Sequence, residues 1–222
     1  MRCIFSNIIK VIYGILIAFF TIGISTIIVL NSQFIYHYSI DKYGLDKVGN
    51  ISKEMLINDF NTLIKYLQNP FIEKLKFNNF SMSINGEFHF YEVKKIFLYI
   101  YGITILIALF FIVLLIIKKI MGKKIELYKM LNYGSNTLIF IIISLLSVMF
   151  IDFSKAFIIF HKIFFNNDYW IFDEKTDPII KVLPEEVFML YALAIIALVI
   201  AVIVLYKVYY YKNKIKNQST IV

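Results

Sequence analysis

The chain has one cysteine, Cys3, and little charge: Asp, Glu, Lys and Arg together make up 17% of its 222 residues. A lone cysteine forms no disulfide within the chain and no Cys-x-x-Cys redox or metal pair. It also lies too close to Met1 to be a lipidated cysteine left by a cleaved signal, and it is assigned no role. The shortage of charge, beside a hydrophobic share of 60% and a mean hydropathy of +0.75, excludes an ordinary soluble globular domain. Disorder is excluded too, since it needs low hydrophobicity and high net charge. HExxH, GxSxG and P-loop patterns are also missing, which leaves zincin, serine-hydrolase and NTPase readings without support.

What is present is apolar and long. Four stretches, about 8–30, 96–117, 131–151 and 188–206, can each cross a hydrocarbon core of roughly 30 Å. Lys10, at the edge of the first, is the one charged residue among them. The first stretch is too long for a secretory h-region, and no small-x-small site closes it, so it reads as an uncleaved anchor. The net charge of +8 does not point to nucleic acid, because the lysines are clustered beside the spans. Lys118, Lys119, Lys123, Lys124 and Lys129 face one acid, Glu126, in the connection 118–130. Lys207, Lys212, Lys214 and Lys216 fill the tail 207–222, and Arg2 opens the chain. By the positive-inside rule these parts are cytoplasmic, and 31–95 and 152–187 face outward. The expected fold is therefore an all-α polytopic membrane protein of four transmembrane helices. Residues 1–30 hold the N-terminal end and first span, and the two outer segments form a small extracellular cap.

The cap has readable parts. Ser52 to Asn69 carries Met55, Leu56, Phe60, Leu63, Ile64 and Leu67 at helical spacing and ends at Pro70. From Phe77 to Tyr91, Phe80, Met82 and Ile84 alternate with polar neighbours, Asn85-Gly86 follows, and Phe88 and Phe90 resume the alternation. That pattern predicts a β-hairpin, with His89 facing away from Phe88 and Phe90. Phe157 to Phe165 reads as an interfacial helix placing His161 among phenylalanines. Trp170 is expected near the headgroups. Asp177 before Pro178 reads as the N-cap of a short helix over 179–183. The 22 Phe and 16 Tyr exceed what anchoring belts require, so some aromatic surface builds something else.

All three histidines, His37, His89 and His161, fall on the outer side, and His89 and His161 lie in aromatic surroundings. A neutral imidazole near pH 7 suits general base work, although a lone interfacial histidine is usually a satisfied amphipathic residue. Asp168, Asp173, Glu174 and Asp177 cluster near His161, and one of them could orient its ring. Lys94 and Lys95 read as snorkelling anchors of the second span. His37 is given no role. The spacing supplies no metal-ligand pair on one helix face, and no cofactor, metal or nucleic-acid partner is expected.

The run Phe160-His161-Lys162-Ile163-Phe164-Phe165-Asn166-Asn167-Asp168-Tyr169-Trp170, followed by Asp177-Pro178-Ile179-Ile180 and Leu183-Pro184-Glu185, resembles the signature of the bacterial lipoprotein intramolecular transacylase (Lit) family. Its earlier motif looks like His89-Phe90-Tyr91-Glu92-Val93-Lys94 here. Glu92 departs from the expected aspartate, and Asp173-Glu174 stands where Asp-Pro is usual. The resemblance implies a cell-membrane enzyme whose partners are a diacylglyceryl-modified lipoprotein and membrane lipids. It would move the sn-2 acyl chain from the glyceryl group to the cysteine's α-amine. His89 and His161 would be catalytic, with Glu92, Lys94, Phe160, Phe164, Phe165, Asn167, Asp168, Trp170 and Asp177 positioning substrate. Two other readings stay open: an outer-leaflet lipid hydrolase or other acyltransferase, and a non-enzymatic subunit with a partner-binding cap.

Overall fold

The computed structural model describes residues 2–122 and 126–219. Lys123 and Lys124 of the basic connection lie outside the described residues, as do the side chains of Arg2 and Cys3. In chain order the helices are α1 (Arg2–Leu30), α2 (Gln33–Tyr43), α3 (Leu45–Gly49), α4 (Lys53–Gln68), α5 (Ile84–Ile120), α6 (Leu127–Ile151), α7 (Phe153–Phe164) and α8 (Glu185–Ser219). A short 3-10 turn, Pro178–Val182, precedes α8. Four of these helices, α1, α5, α6 and α8, are long and apolar enough to cross a membrane. The all-α, multi-pass expectation therefore stands.

One compact unit comprises Met1–Ile27, Gly102–Ser147 and Ala194–Val222. Helices without a hydrophobic driving force between them associate through small residues and polar side chains. Gly134 supplies the first: a Cβ there would fall 2.3 Å from Ile17 Cγ2, so α1 and α6 meet at backbone distance. Lys207 supplies the second, its Nζ donating to Asn132 Oδ1 at 2.8 Å and Asn136 Oδ1 at 2.6 Å.

The other unit, Ile28–Tyr101 and Val148–Leu193, holds both segments expected to face outward. The Ser52 hydroxyl accepts the Met55 N–H at 3.3 Å and caps α4. Along α4, Leu56, Phe60, Leu63 and Leu67 are buried while Met55 is exposed, as an amphipathic helix on a core requires. Tyr36 of α2 stacks on Phe60 with centroids 3.9 Å apart, and its hydroxyl donates to the Val182 carbonyl at 3.1 Å.

The hairpin expected over Phe77 to Tyr91 does not form; among the described residues there is no strand. Ser83 instead caps α5: its hydroxyl accepts the Gly86 N–H at 3.0 Å, and its carbonyl accepts the Glu87 N–H at 2.9 Å. Asn85-Gly86 thus lies in the first turn of a helix. His89 and Phe90, expected on opposite faces, are neighbours on one buried helix face that continues through Val93, Lys94 and Phe97.

Residues 69–83 remain irregular, and buried backbone groups in such a stretch must find side-chain partners. Three buried charges provide them. Asp59 accepts the Asn78 N–H at 2.7 Å and the Asn79 N–H at 3.1 Å. Lys94 Nζ donates to the Ile72 carbonyl and sits 4.4 Å from the Tyr66 ring centroid. Asp177 Oδ1 accepts the Ser83 N–H at 2.7 Å. Two expectations change here. Lys94 is a buried clamp and not a snorkelling anchor, and Asp177 holds the N-cap position of the 3-10 turn without a side-chain bond to it.

Candidate active site

Helix α7 begins at Asp152, whose carboxylate accepts the Lys155 N–H at 3.0 Å, and its last turn carries His161. Helix α5 carries His89 in its second turn. The two imidazoles, 7% and 8% exposed for His89 and His161, lie with ring centroids 5.9 Å apart and planes inclined by 32°. Phe165, itself buried, packs against both, at 4.7 Å from His89 and 5.5 Å from His161. Phe172 closes against His89 at 5.5 Å. Phe157 at 4.2 Å and Trp170 at 4.7 Å close against His161. The aromatic excess of the sequence is partly spent here.

His161 Nδ1 lies 2.7 Å from the Phe157 carbonyl oxygen. A carbonyl can only accept, so this nitrogen carries the proton and Nε2 presents its lone pair. The orienting group is thus a backbone oxygen, not one of the nearby acids. Burial lowers the His161 pKa below its ordinary value, and the bond to Phe157 opposes that shift without cancelling it. His89 Nδ1 and Trp170 Nε1 are buried, and no acceptor or donor among the described residues reaches either.

The other expected positions divide. Glu92 Oε2 accepts the Asn167 amide N–H at 3.0 Å, which ties the loop after α7 to the helix of His89. Asp177 fixes the start of that helix. Phe160 touches the His161 ring at 5.5 Å and pairs with Phe164 at 4.7 Å, yet both phenyl groups are largely exposed. Asp168 is exposed and enters the loop through its carbonyl, which accepts the Ile171 N–H at 3.0 Å. His37 is exposed on α2. Trp170, expected among headgroups, has its N–H turned inward. Sequence reasoning missed Phe172 and Asp59, because a single phenylalanine in a loop and a carboxylate on an amphipathic helix carry no local signal. Among the described residues no three His, Cys, Asp or Glu side chains come together as a metal site.

Two buried imidazoles walled by aromatic rings can move a proton away from bulk water. Comparison with known proteins narrows the chemistry. The family model for the lipoprotein intramolecular transacylase Lit matches residues 11–188. The in meso structure of the membrane-integral lipoprotein intramolecular transacylase Lit from Bacillus cereus matches with a TM-score of 0.85 at 31% identity, covering 96% of this chain and 98% of that one. A histidine-to-arginine variant of the Bacillus cereus protein matches with a TM-score of 0.81 at 31% identity, over 98% of this chain and 96% of its own. A histidine-to-alanine variant gives 0.78 at 33% identity, over 98% and 97%. No curated protein matches the sequence.

Proposed function

The chain belongs to the lipoprotein intramolecular transacylase family, and from that premise we propose that it transfers the sn-2 acyl chain of a diacylglyceryl-modified N-terminal cysteine to the same cysteine's α-amine. The product is an N-acyl, S-monoacylglyceryl lyso-form lipoprotein. The reaction takes place at the outer face of the bacterial cell membrane, with both termini cytoplasmic. The clustering of lysines in 118–130 and 207–222 supports that orientation.

Attack of the amine on the sn-2 ester closes a medium ring through nitrogen, the cysteine carbons, sulfur, two glyceryl carbons, the ester oxygen and the carbonyl carbon. Medium rings close reluctantly. A site that holds the lipid bent recovers part of the roughly 7 to 11 kcal/mol available to well-oriented intramolecular reactions. The nucleophile belongs to the substrate, so no acyl-enzyme is needed. His161 Nε2 takes the amine's proton, and that proton ends on the departing glyceryl oxygen. His89, whose ring centroid lies 5.9 Å away, passes it there. The surrounding rings exclude water, which keeps hydrolysis from competing.

One observation carries the reading: two buried imidazoles face each other within an aromatic shell, one held by Phe157 in the tautomer that leaves Nε2 free. The test is incubation of the purified protein with a synthetic diacylglyceryl-cysteine lipopeptide, followed by tandem mass spectrometry. The expected result is an unchanged parent mass with one acyl chain on the amine. His89→Ala and His161→Ala should each lower the rate at least about 100-fold. Loss of one fatty acid, or full transfer by both variants, would overturn the reading.

A further inference from the structure

A site that stabilises a tetrahedral intermediate needs a donor aimed at the carbonyl oxygen as it gains charge. The rings packed against His161 are His89, Phe157, Phe160, Phe165 and Trp170. Phenyl rings donate nothing, and the imidazoles are occupied with the proton. Trp170 remains. Its ring centroid lies 4.7 Å from that of His161 at an interplanar angle of 31°. Its Nε1–H is buried, and no acceptor among the described residues reaches it. A buried donor left unmet in a folded protein is rare and calls for a reason. An indole N–H is a donor only and does not titrate in the working range, so it cannot divert the proton the histidines handle.

The loop that presents this indole is fixed. The Asn167 Oδ1 accepts the Tyr169 N–H at 3.0 Å, and the Asp168 carbonyl accepts the Ile171 N–H at 3.0 Å. Asn167 is tied in turn to Glu92, one turn along α5 from His89. Trp170 and both imidazoles therefore share one frame.

Resting on the transacylase reading above, we infer that Trp170 is a catalytic residue whose Nε1–H holds the oxyanion formed when the amine attacks the sn-2 ester. As the C–N bond forms, the carbonyl π pair moves onto oxygen and is held by the indole. When the pair returns, the bond to the sn-2 oxygen breaks, and that oxygen receives the proton the amine gave up. Nothing else is consumed.

Trp170 is the one tryptophan in the chain, so replacing tryptophan throughout with β-(3-benzothienyl)alanine exchanges a single N–H for sulfur while keeping the bicyclic ring. This protein and Trp170→Phe are assayed on the diacylglyceryl-cysteine lipopeptide beside the wild type, with thermal unfolding of each. Expected is a fall in kcat of about 100-fold, with KM within about threefold and a thermal midpoint no lower for the benzothienyl protein. A kcat within about threefold of wild type in the benzothienyl protein would overturn the inference while leaving the transacylase reading intact. So would a rise in KM alone, or a loss of rate matched by a lowered thermal midpoint, either of which marks packing. A wild type that leaves the lipopeptide's acyl chains in place overturns the reading itself and this inference with it.

Discussion

A Cβ built on Gly86 falls 2.2 Å from Asp177 Oδ1, the same oxygen that accepts the Ser83 N–H at 2.7 Å. Glycine is therefore required at 86 by a neighbour distant in sequence. In an exposed helix Gly→Ala gains about 0.5–1 kcal/mol. Here the sign reverses, and Gly86→Ala is expected to cost about 1–3 kcal/mol by displacing a buried carboxylate. Because α5 carries His89, the rate should fall as well. Asp177→Ala removes the obstacle, so chemical denaturation of the two single variants and the double variant should give a coupling of at least about 1 kcal/mol. Strict additivity would show that Gly86 and Asp177 do not interact.

The adjacent lysines 94 and 95 separate two roles that look alike in the sequence. Lys94 is buried, donates to the Ile72 carbonyl and lies over Tyr66. Lys95 is partly exposed, with its Nζ 4.8 Å from the Tyr91 ring centroid. Lys94→Met should destabilise by about 1–3 kcal/mol, since it leaves a buried carbonyl unpaired. Lys95→Met should stay within about 0.5 kcal/mol of wild type. Equal effects of the two changes in thermal unfolding would return both residues to the status of membrane anchors.

For His161 the pKa is depressed in the folded state by burial. The unfolded chain therefore binds more protons between that value and the ordinary histidine value of about 6.5. The stability contribution is fully present above about pH 6.5 and is lost as pH falls through the folded pKa. The acid limb of kcat/KM, which reports the free protein, should likewise lie below the usual histidine range. Trp170, 4.7 Å from the His161 ring, reports the titration directly, because an imidazolium quenches a neighbouring indole. Tryptophan emission should drop with the same midpoint as the acid limb. His89 also faces this imidazole, so the control is His161→Ala, which should remove most of the drop.

Much of the architecture was legible because its signals are local. Apolar length marks the spans, Ser52 marks the start of α4, and the phenylalanine-flanked histidine marks α7. The hairpin failed for an equally specific reason. Asn85-Gly86 between alternating apolar residues is a turn signal, but Ser83 three residues before Gly86 is also a helix cap, and Asp177 decides between them. That deciding contact spans 94 residues of sequence. The histidine pair was legible as two separate motifs, whereas its 5.9 Å spacing, the Phe157 carbonyl and the closure by Phe172 come from packing.

The clamping of residues 69–83 by Asp59, Lys94 and Asp177 sets how slowly this irregular stretch trades its amide hydrogens with solvent. Secondary structure alone would leave it unprotected. The Asn78, Asn79 and Ser83 amides, each donating to a buried carboxylate, should instead exchange at rates near those of the helices beside them. Asp59→Ala should expose the Asn78 and Asn79 amides while sparing Ser83, so deuterium uptake would resolve the loop into separately fastened halves.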